Sequence, residues 1–500
     1  MKKYIVILIF VYFLINILFL DLFPLIHSDE SWLGGLSRLY LEDATPSVTE
    51  SFFDLFPRYP HGIKIIFHYI QAFFILLFSY SPYTLRIISL IISCGVLFIF
   101  YLLARKCLHR QGLVLLSVLV LATDIQFIYA AHFARQEILI LLLILLCAYI
   151  KLFLDFRYKN LVLSLLTGIA IGVHPNAFFI AVILGFLYSY DILIKKSSLR
   201  SLITYVLLTG CFAMIYVFIS LKMDPEFIYH YRTFGEQFGV FDDSMNRTVQ
   251  IVDFYRKLYY QVSGTYYMPP IHLQLVLFAF FGAIASISLL MKKRDKIVMQ
   301  LMLILLGINL TFIIIGRFNQ TSIIFIFPFA WLLVLYWIER FRLSPIIFIL
   351  LIIQISISSL AIAPYLQDHY KYYIHEIKSH VPSDANVLAN LNTEFYFHKN
   401  TLYDYRNLNF LEDRNISFEN YILDREIEYI IYPEEMDFIY NRRPVWNGIY
   451  GNLYPYYDDM QRFLSERCQI IHQFHSPYGM RIVLFQNNQD WLITIYKVVR

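Results

Sequence analysis

Charge is what this chain has least of. Lys and Arg number 41 and Asp and Glu 37 among 500 residues, 16% together, against 58% hydrophobic residues. With a mean hydropathy of +0.57, a water-soluble globule of this size could not cover so much apolar surface. Cysteine is scarce as well. Cys94, Cys107, Cys147 and Cys211 lie in or beside apolar runs, and Cys468 stands alone in the polar C-terminal part. That leaves no disulfide framework and no zinc-ligand spacing there. There is no Walker loop, no phosphate-cradling glycine loop, no Ser-centred elbow and no HExxH, so ATP-driven transport has no support. The net charge is only +4, and the basic clusters are short and lie between apolar runs. Nucleic acid is therefore not an expected partner. No internal repeat and no low-complexity tract is visible.

Apolar runs near 20 residues recur, the length that crosses a hydrocarbon core. The spacing predicts a polytopic α-helical membrane protein with about 11 spans: 4–26, 83–104, 113–130, 137–154, 161–174, 176–194, 199–221, 271–291, 297–315, 320–338 and 344–362. The abundance of Tyr (40) and Phe (45) fits interfacial aromatic belts and lipid-facing surface. Lys2 and Lys3 followed by Tyr4–Leu20 read as an uncleaved signal anchor with a cytoplasmic N-terminus. Five basic loops follow, around Arg105, Arg157, Lys195, Lys292 and Arg340. The positive-inside rule puts them all in the cytoplasm, provided the apolar segment 62–80 does not add a crossing. Its Lys64, His68 and Gln71 fit a juxtamembrane amphipathic or re-entrant helix. An ordinary span with one misplaced basic cluster is the alternative.

On that topology a membrane domain, 1–363, exposes a first outer loop, 27–61, and a second, 222–270. Residues 364–500 change character: charge and Asn rise and the apolar runs shorten. Strands are expected at 386–391, 428–432, 468–474, 480–485 and 491–499, and helices at 365–380 and 454–467. This is a small extracytoplasmic α/β domain.

Polar chemistry gathers on the outer face. The first span runs into His27-Ser28-Asp29-Glu30. A carboxylate at that depth can deprotonate an acceptor group or hold a divalent cation. The same residues also suit a helix start, with Ser28 or Asp29 as cap. Arg58, His61 and Lys64 fall within seven residues and can grip a phosphate, or snorkel to lipid headgroups. Arg135 and Glu137 open an apolar helix near Asp124 and His132, as site residues or as a structural ion pair. His174, at a Pro-broken turn, is a candidate ligand or hydrogen-bond donor. Arg317, in an outward turn, can neutralise an anionic headgroup. In loop 222–270, Glu236 or Asp242 can join a site, and the aromatics up to Tyr266 and Tyr267 can stack on sugar rings or sit in the interface.

The ordered set resembles the GT-C class of membrane glycosyltransferases, in style the protein O-mannosyltransferases and the lipid A aminoarabinose transferases. The features that carry it are Asp29-Glu30 after the first span, the Pro-containing basic stretch Arg58–Lys64, and Arg86 in LRIISLIIS. The turns ARQE and GVHPN follow, then RFNQ…FPF from Arg317, and a closing α/β domain. The basic stretch departs from those two families, reading YPHGIK where they have Lys-Pro-Pro-Leu. The resemblance implies a polyprenyl-phosphate-sugar donor and a lipid, glycan or protein acceptor on the outer face of a bacterial plasma membrane, among membrane lipids. Asp29 would be the general base of an inverting transfer, and Glu30 would orient it or share a divalent metal ion with it. Arg58, His61, Lys64 and Arg317 would hold the leaving phosphate. A flippase or transporter of a lipid-linked saccharide, or a non-catalytic scaffold subunit, is the alternative. A transporter should show repeat symmetry and mid-membrane broken helices.

Overall fold

The computed structural model describes residues 2–43, 53–55, 59–237, 247–262, 266–291, 295–316, 318–367, 369–442, 453–479 and 490–499. In chain order the membrane part comprises α1 (Lys2–Ile17), α2 (Ser28–Asp43), α3 (Ile65–Phe78), α4 (Pro82–Cys107), α5 (Gln111–Ala122), α6 (Ile125–His132), α7 (Glu137–Phe153), α8 (Lys159–Val173), α9 (Phe178–Leu193) and α10 (Leu199–Met223). It continues with α11 (Phe227–Gln237), α12 (Arg247–Tyr259), α13 (His272–Leu290), α14 (Lys296–Ile315), α15 (Phe327–Arg340) and α16 (Ser344–Ile362).

Among the described residues, seven helices are long and apolar enough to cross a membrane, or eight if α5 and α6 form one span bent by 59°. The expected count of about 11 is therefore not reached at full length. The segment 161–174 is the 15-residue α8 and 137–154 the 17-residue α7, which at 1.5 Å per residue span roughly 22–26 Å. The first run, expected to be helical over 4–26, stops at Ile17. Residues 18–27 then wind irregularly, with Leu20, Phe23, Leu25 and Ile26 buried. Apolar periodicity cannot register such a break.

Two side chains make the break possible. Inside an apolar bundle, non-helical carbonyls need donors from the protein. Arg86 of α4, fully buried, donates to the carbonyls of Leu20 (2.9 Å), Pro24 (2.8 Å) and Leu25 (3.2 Å). His132 of α6 bonds the Phe23 carbonyl at 2.9 Å and the Asn16 side chain at 2.9 Å. Further along, Gly168 and Gly172 let α8 approach α10 closely: a Cβ at either would run into Phe212 or Tyr216.

The two segments expected as outer loops are not loops throughout. Loop 27–61 opens with α2, and loop 222–270 contains α11 and α12. The segment 62–80 is helical as α3, but its polar face does not look outward. Ser37 of α2 bonds His68 Nδ1 at 2.9 Å and donates to Gln71 Oε1 at 2.7 Å, with His68 and Gln71 buried. The polar stripe that suggested a membrane surface instead mates α3 with α2.

The C-terminal part carries β1 (Val387–Ala389), β2 (Leu402–Asp404), β3 (Tyr429–Pro433), β4 (Cys468–Ser476) and β5 (Trp491–Val498). They form one sheet in the order β2-β1-β3-β5-β4, with β1 parallel to both neighbours and β5 antiparallel to both of its own. Helices α17 (His369–Lys378), α18 (Phe418–Asp424), α19 (Glu435–Arg442) and α20 (Tyr457–Arg467) accompany it. Four expected strands are present. The fifth, 480–485, lies outside the described residues, and β2, α18 and α19 were not anticipated. Residues 365–380 turn α-helical only from His369.

This domain grips the segment around α2. Tyr478 Oη accepts from Ile26 N–H at 3.0 Å. Glu394 receives Arg38 at 3.4 Å and also the Tyr80 hydroxyl. The Arg406 guanidinium lies over the rings of Trp32 (5.1 Å) and Phe53 (4.7 Å). Asp54 takes Tyr421 at 2.9 Å and Arg425 at 2.7 Å.

Candidate functional site

The site is built at the first turn of α2. His27 caps the helix: its Nδ1 accepts from Asp29 N–H at 3.0 Å, while Glu30 Oε1 accepts from His27 N–H at 2.9 Å. This is a variant of the capping box, with His in the place usually held by Ser or Thr and its bond made to the second helical N–H in place of the third. Ser28 and Asp29 were the expected caps; Ser28 is instead the first helical residue. The box fixes the Glu30 carboxylate, and the negative charge of both side chains suits the helix N-terminus.

The two neighbours then diverge. Glu30 is fully buried and forms a forked pair with Arg86, Nε to Oε2 at 2.8 Å and Nη2 to Oε1 at 2.7 Å. Ala134 N–H adds a bond to Oε2 at 3.1 Å. With the His27 bond, each Glu30 oxygen holds two donors. Asp29 keeps 19% of its side chain exposed. Its Oδ2 accepts from Arg135 at 2.9 Å and from the Tyr266 hydroxyl at 2.8 Å. Arg135, 7% exposed, passes on to Glu137 Oε1 at 3.3 Å, and Thr321 donates to that same oxygen at 2.7 Å. Tyr129, Ala130, Phe133, Arg135, Glu137 and Thr321 line a small cavity here. Two of its lining rings stack, Phe133 on Tyr129 at 5.4 Å, and Tyr266, 6.1 Å from Phe133, stacks on His27 at 4.9 Å.

The donor set does not suit a divalent metal ion. Glu30 is saturated by Arg86 and two backbone donors, and Asp29 Oδ2 is taken by a guanidinium and a phenol. Among the described residues no three His, Cys, Asp or Glu side chains converge to hold a metal.

The structure thus brings Asp29, Glu30, Arg135 and Glu137 together. His174 is buried and its Nδ1 accepts from Asn176 N–H at 3.0 Å, capping a short 3-10 turn. His61 packs on Tyr231 and Phe227, at 5.4 and 6.0 Å. Lys64 precedes α3 with a left-handed φ of 71°. Arg58 and Arg317 lie outside the described residues, and so does the side chain of Glu236 in α11. Arg86 had no assigned role in the sequence, and Tyr266 was expected only as a loop aromatic that stacks on a sugar ring or sits in the interface, not as a partner of Asp29. A lone Arg inside LRIISLIIS was the available signal, since an intramembrane cation needs a reason to be there.

No family model matches the chain, and no curated protein does. Solved structures do. ArnT from Cupriavidus metallidurans bound to undecaprenyl phosphate aligns over 99% of this chain and 97% of its own, at 11% identity with a TM-score of 0.62. Its apo state gives the same values. The oligosaccharyltransferase of Archaeoglobus fulgidus, in the apo form, aligns over 89% of this chain and 71% of its own, at 13% identity with a TM-score of 0.52. The chain therefore has the fold of the GT-C class, the one its motifs resemble.

Proposed function

We propose that the protein is an integral-membrane glycosyltransferase that moves a sugar from a polyprenyl-phosphate donor to an acceptor on the extracytoplasmic face. The unequal fate of two adjacent carboxylates carries this reading. One is buried and locked by Arg86, and the other keeps part of its side chain exposed and is paired with Arg135, which lines a small cavity with two aromatic rings. ArnT of the same fold holds undecaprenyl phosphate, which supports a lipid phosphate as the donor's carrier here.

In this mechanism Asp29 is the general base. It takes the proton of an acceptor hydroxyl as the oxygen bonds to the anomeric carbon. The bond from that carbon to the phosphate oxygen breaks, and the polyprenyl phosphate leaves with the electron pair. Attack opposite the leaving group inverts the centre. Glu30 acts as a positioning residue that fixes the helix start. Arg135 orients Asp29 through Oδ2. Arg58, His61, Lys64 and Arg317 are assigned to the departing phosphate, where fixed cations lower the barrier. The N-terminus is cytoplasmic and residues 364–500 extracytoplasmic in a bacterial plasma membrane. The acceptor is a lipid, a glycan or a protein.

The test uses purified protein in lipid nanodiscs and a panel of undecaprenyl-phosphate monosaccharides, with released undecaprenyl phosphate measured by mass spectrometry. Asp29→Asn should lose transfer by roughly a hundredfold or more while keeping the wild-type elution profile and melting temperature. Full activity in Asp29→Asn removes the reading.

A further inference from the structure

The site holds two Arg–Glu pairs, and they are closed to different degrees. Arg86 sets its Nε and Nη2 against Glu30 and fills both oxygens, at 2.8 and 2.7 Å. Arg135 offers Nη2 to Glu137 Oε1 at 3.3 Å, but the second prong stays open. Arg135 Nε and Glu137 Oε2 are buried, and neither atom has a hydrogen-bond partner. Their residues are only 7% and 3% exposed. A buried charged group left with an unmade hydrogen bond is costly, so this half-open pair needs a reason.

Both partners are held from outside the gap. Thr321 donates to Glu137 Oε1 at 2.7 Å, and Arg135 Nη1 donates to Asp29 Oδ2 at 2.9 Å. The guanidinium carbon also lies 5.7 Å from the Phe133 ring and 4.9 Å from that of Tyr266. Arg135, Glu137 and Thr321 line the cavity together with Tyr129 and Phe133, and its free space of about 10 Å³ suits one water-sized group. What fits there follows from the two unbonded atoms. Nε–H donates and the carboxylate oxygen accepts. A bridging group must accept from the first and donate to the second, and a hydroxyl does both. A phosphate oxygen has no proton for Oε2 and is repelled by it, and an ammonium has no lone pair for Nε.

We propose that the open prong of the Arg135–Glu137 pair is a specificity site that takes one hydroxyl of the transferred sugar. Arg135 Nε donates to the hydroxyl oxygen, and Glu137 Oε2 accepts its O–H. The size of the cavity admits a hydroxyl and excludes a bulkier substituent such as an acetamido group. The proposal rests on the reading of Asp29 as the base of a sugar transfer. In that reading the base and the anomeric carbon meet across one acceptor oxygen, which brings the sugar ring close to the guanidinium that binds Asp29.

The test takes the undecaprenyl-phosphate monosaccharide with the highest kcat/KM in nanodiscs, and its analogues that each lack one hydroxyl. One analogue should lose about a hundredfold or more in kcat/KM, because a site built to bond a hydroxyl is left with buried unpaired groups without it. Glu137→Gln should lower turnover of every donor and shrink that one ratio to about tenfold or less, leaving the ratios of the other analogues in place. A purely structural pair predicts equal losses on all donors, with every ratio unchanged, and that result overturns the proposal. So does a wild type that treats all the analogues within about threefold of the parent, as expected if the gap holds water only or takes a hydroxyl of the acceptor. If Glu137→Gln does not fold, a cryo-EM map of Asp29→Asn with bound donor decides. A sugar oxygen within about 3 Å of Arg135 Nε and Glu137 Oε2 supports the proposal, and a water there or a closed fork overturns it. Asp29→Asn assayed alongside separates the two claims. An inactive Asp29→Asn with an unselective wild type overturns only the specificity site. An active Asp29→Asn overturns the function itself, and no turnover with any donor removes both.

Discussion

The two ends of α7 bury charge in different ways. At its last turn, Lys151 meets Asp191 of α9 at 2.7 Å, with the Tyr188 ring 3.5 Å from the ammonium. Both groups are buried, and each serves the other. At its first turn, Arg135 and Glu137 belong to a chain that runs through Asp29 and touches Tyr266 and Thr321, beside the Glu30–Arg86 pair. A closed pair has spent its charge on its partner. A chain with one partly exposed member keeps charge available for a substrate. The cavity at the second end, lined in part by the stacked rings of Tyr129 and Phe133, fits that distinction.

Arg86 should give the largest effect on folding. Arg86→Met leaves Glu30 buried without its counter-ion and strips donors from three carbonyls of residues 18–27. Removing one partner of a buried pair costs about 3–5 kcal/mol, and the lost carbonyl bonds add to that. Thermal unfolding in detergent should show little folded protein. Adding Glu30→Met should not restore it, because the carbonyls remain without their donor. Recovery in the double variant would mean that the Glu30–Arg86 pair is as self-contained as the one at the far end of α7.

Lys151 comes next. Lys151→Met alone should destabilise by about 3–5 kcal/mol, because Asp191 is left buried and unpaired. Lys151→Met with Asp191→Leu should return the melting temperature to near that of the wild type, with transfer activity unchanged. Buried pairs are often replaceable by apolar residues of similar volume. If the double variant is folded and inactive, the far pair has a function and the contrast between the two ends collapses.

The sequence showed the Asp-Glu pair, the helical membrane class and most strands of the closing domain, because these depend on local pattern. Strands β3 and β5 are apolar runs with clear ends, and β3 was placed within a residue or so. It could not separate Asp29 from Glu30. That separation depends on Arg86, 56 positions on, and on Ala134 N–H, 104 positions on. Nor could it see α1 ending at Ile17, since the residues beyond are as apolar as those before and the break is set by donors on α4 and α6. Strand β2 has three residues, too few for alternation to register. The cap showed the reverse failing: a helix start was legible, but His27 took the role that composition gives to Ser or Asp.

The smallest expected effect concerns what holds the Asp29 end in place. The C-terminal domain touches the segment around α2 at Ile26, Trp32, Arg38 and Asp54, and α2 carries Asp29. Arg406 is the contact that lies over Trp32, a residue of the turn that follows the two carboxylates, while its Nε is bonded to Asp404 at 2.8 Å. Arg406→Ala removes a cation from two ring faces, worth roughly 0.5–2 kcal/mol, so transfer should fall only a few-fold while the melting temperature drops slightly. Arg406→Lys keeps the charge but not the planar stack, and it should retain part of what Arg406→Ala loses. Wild-type kinetics in Arg406→Ala would mean that the grip of the domain is a tether only. A loss as deep as that of Asp29→Asn would instead place Arg406 against substrate, which would extend the working end of α7 into the C-terminal domain.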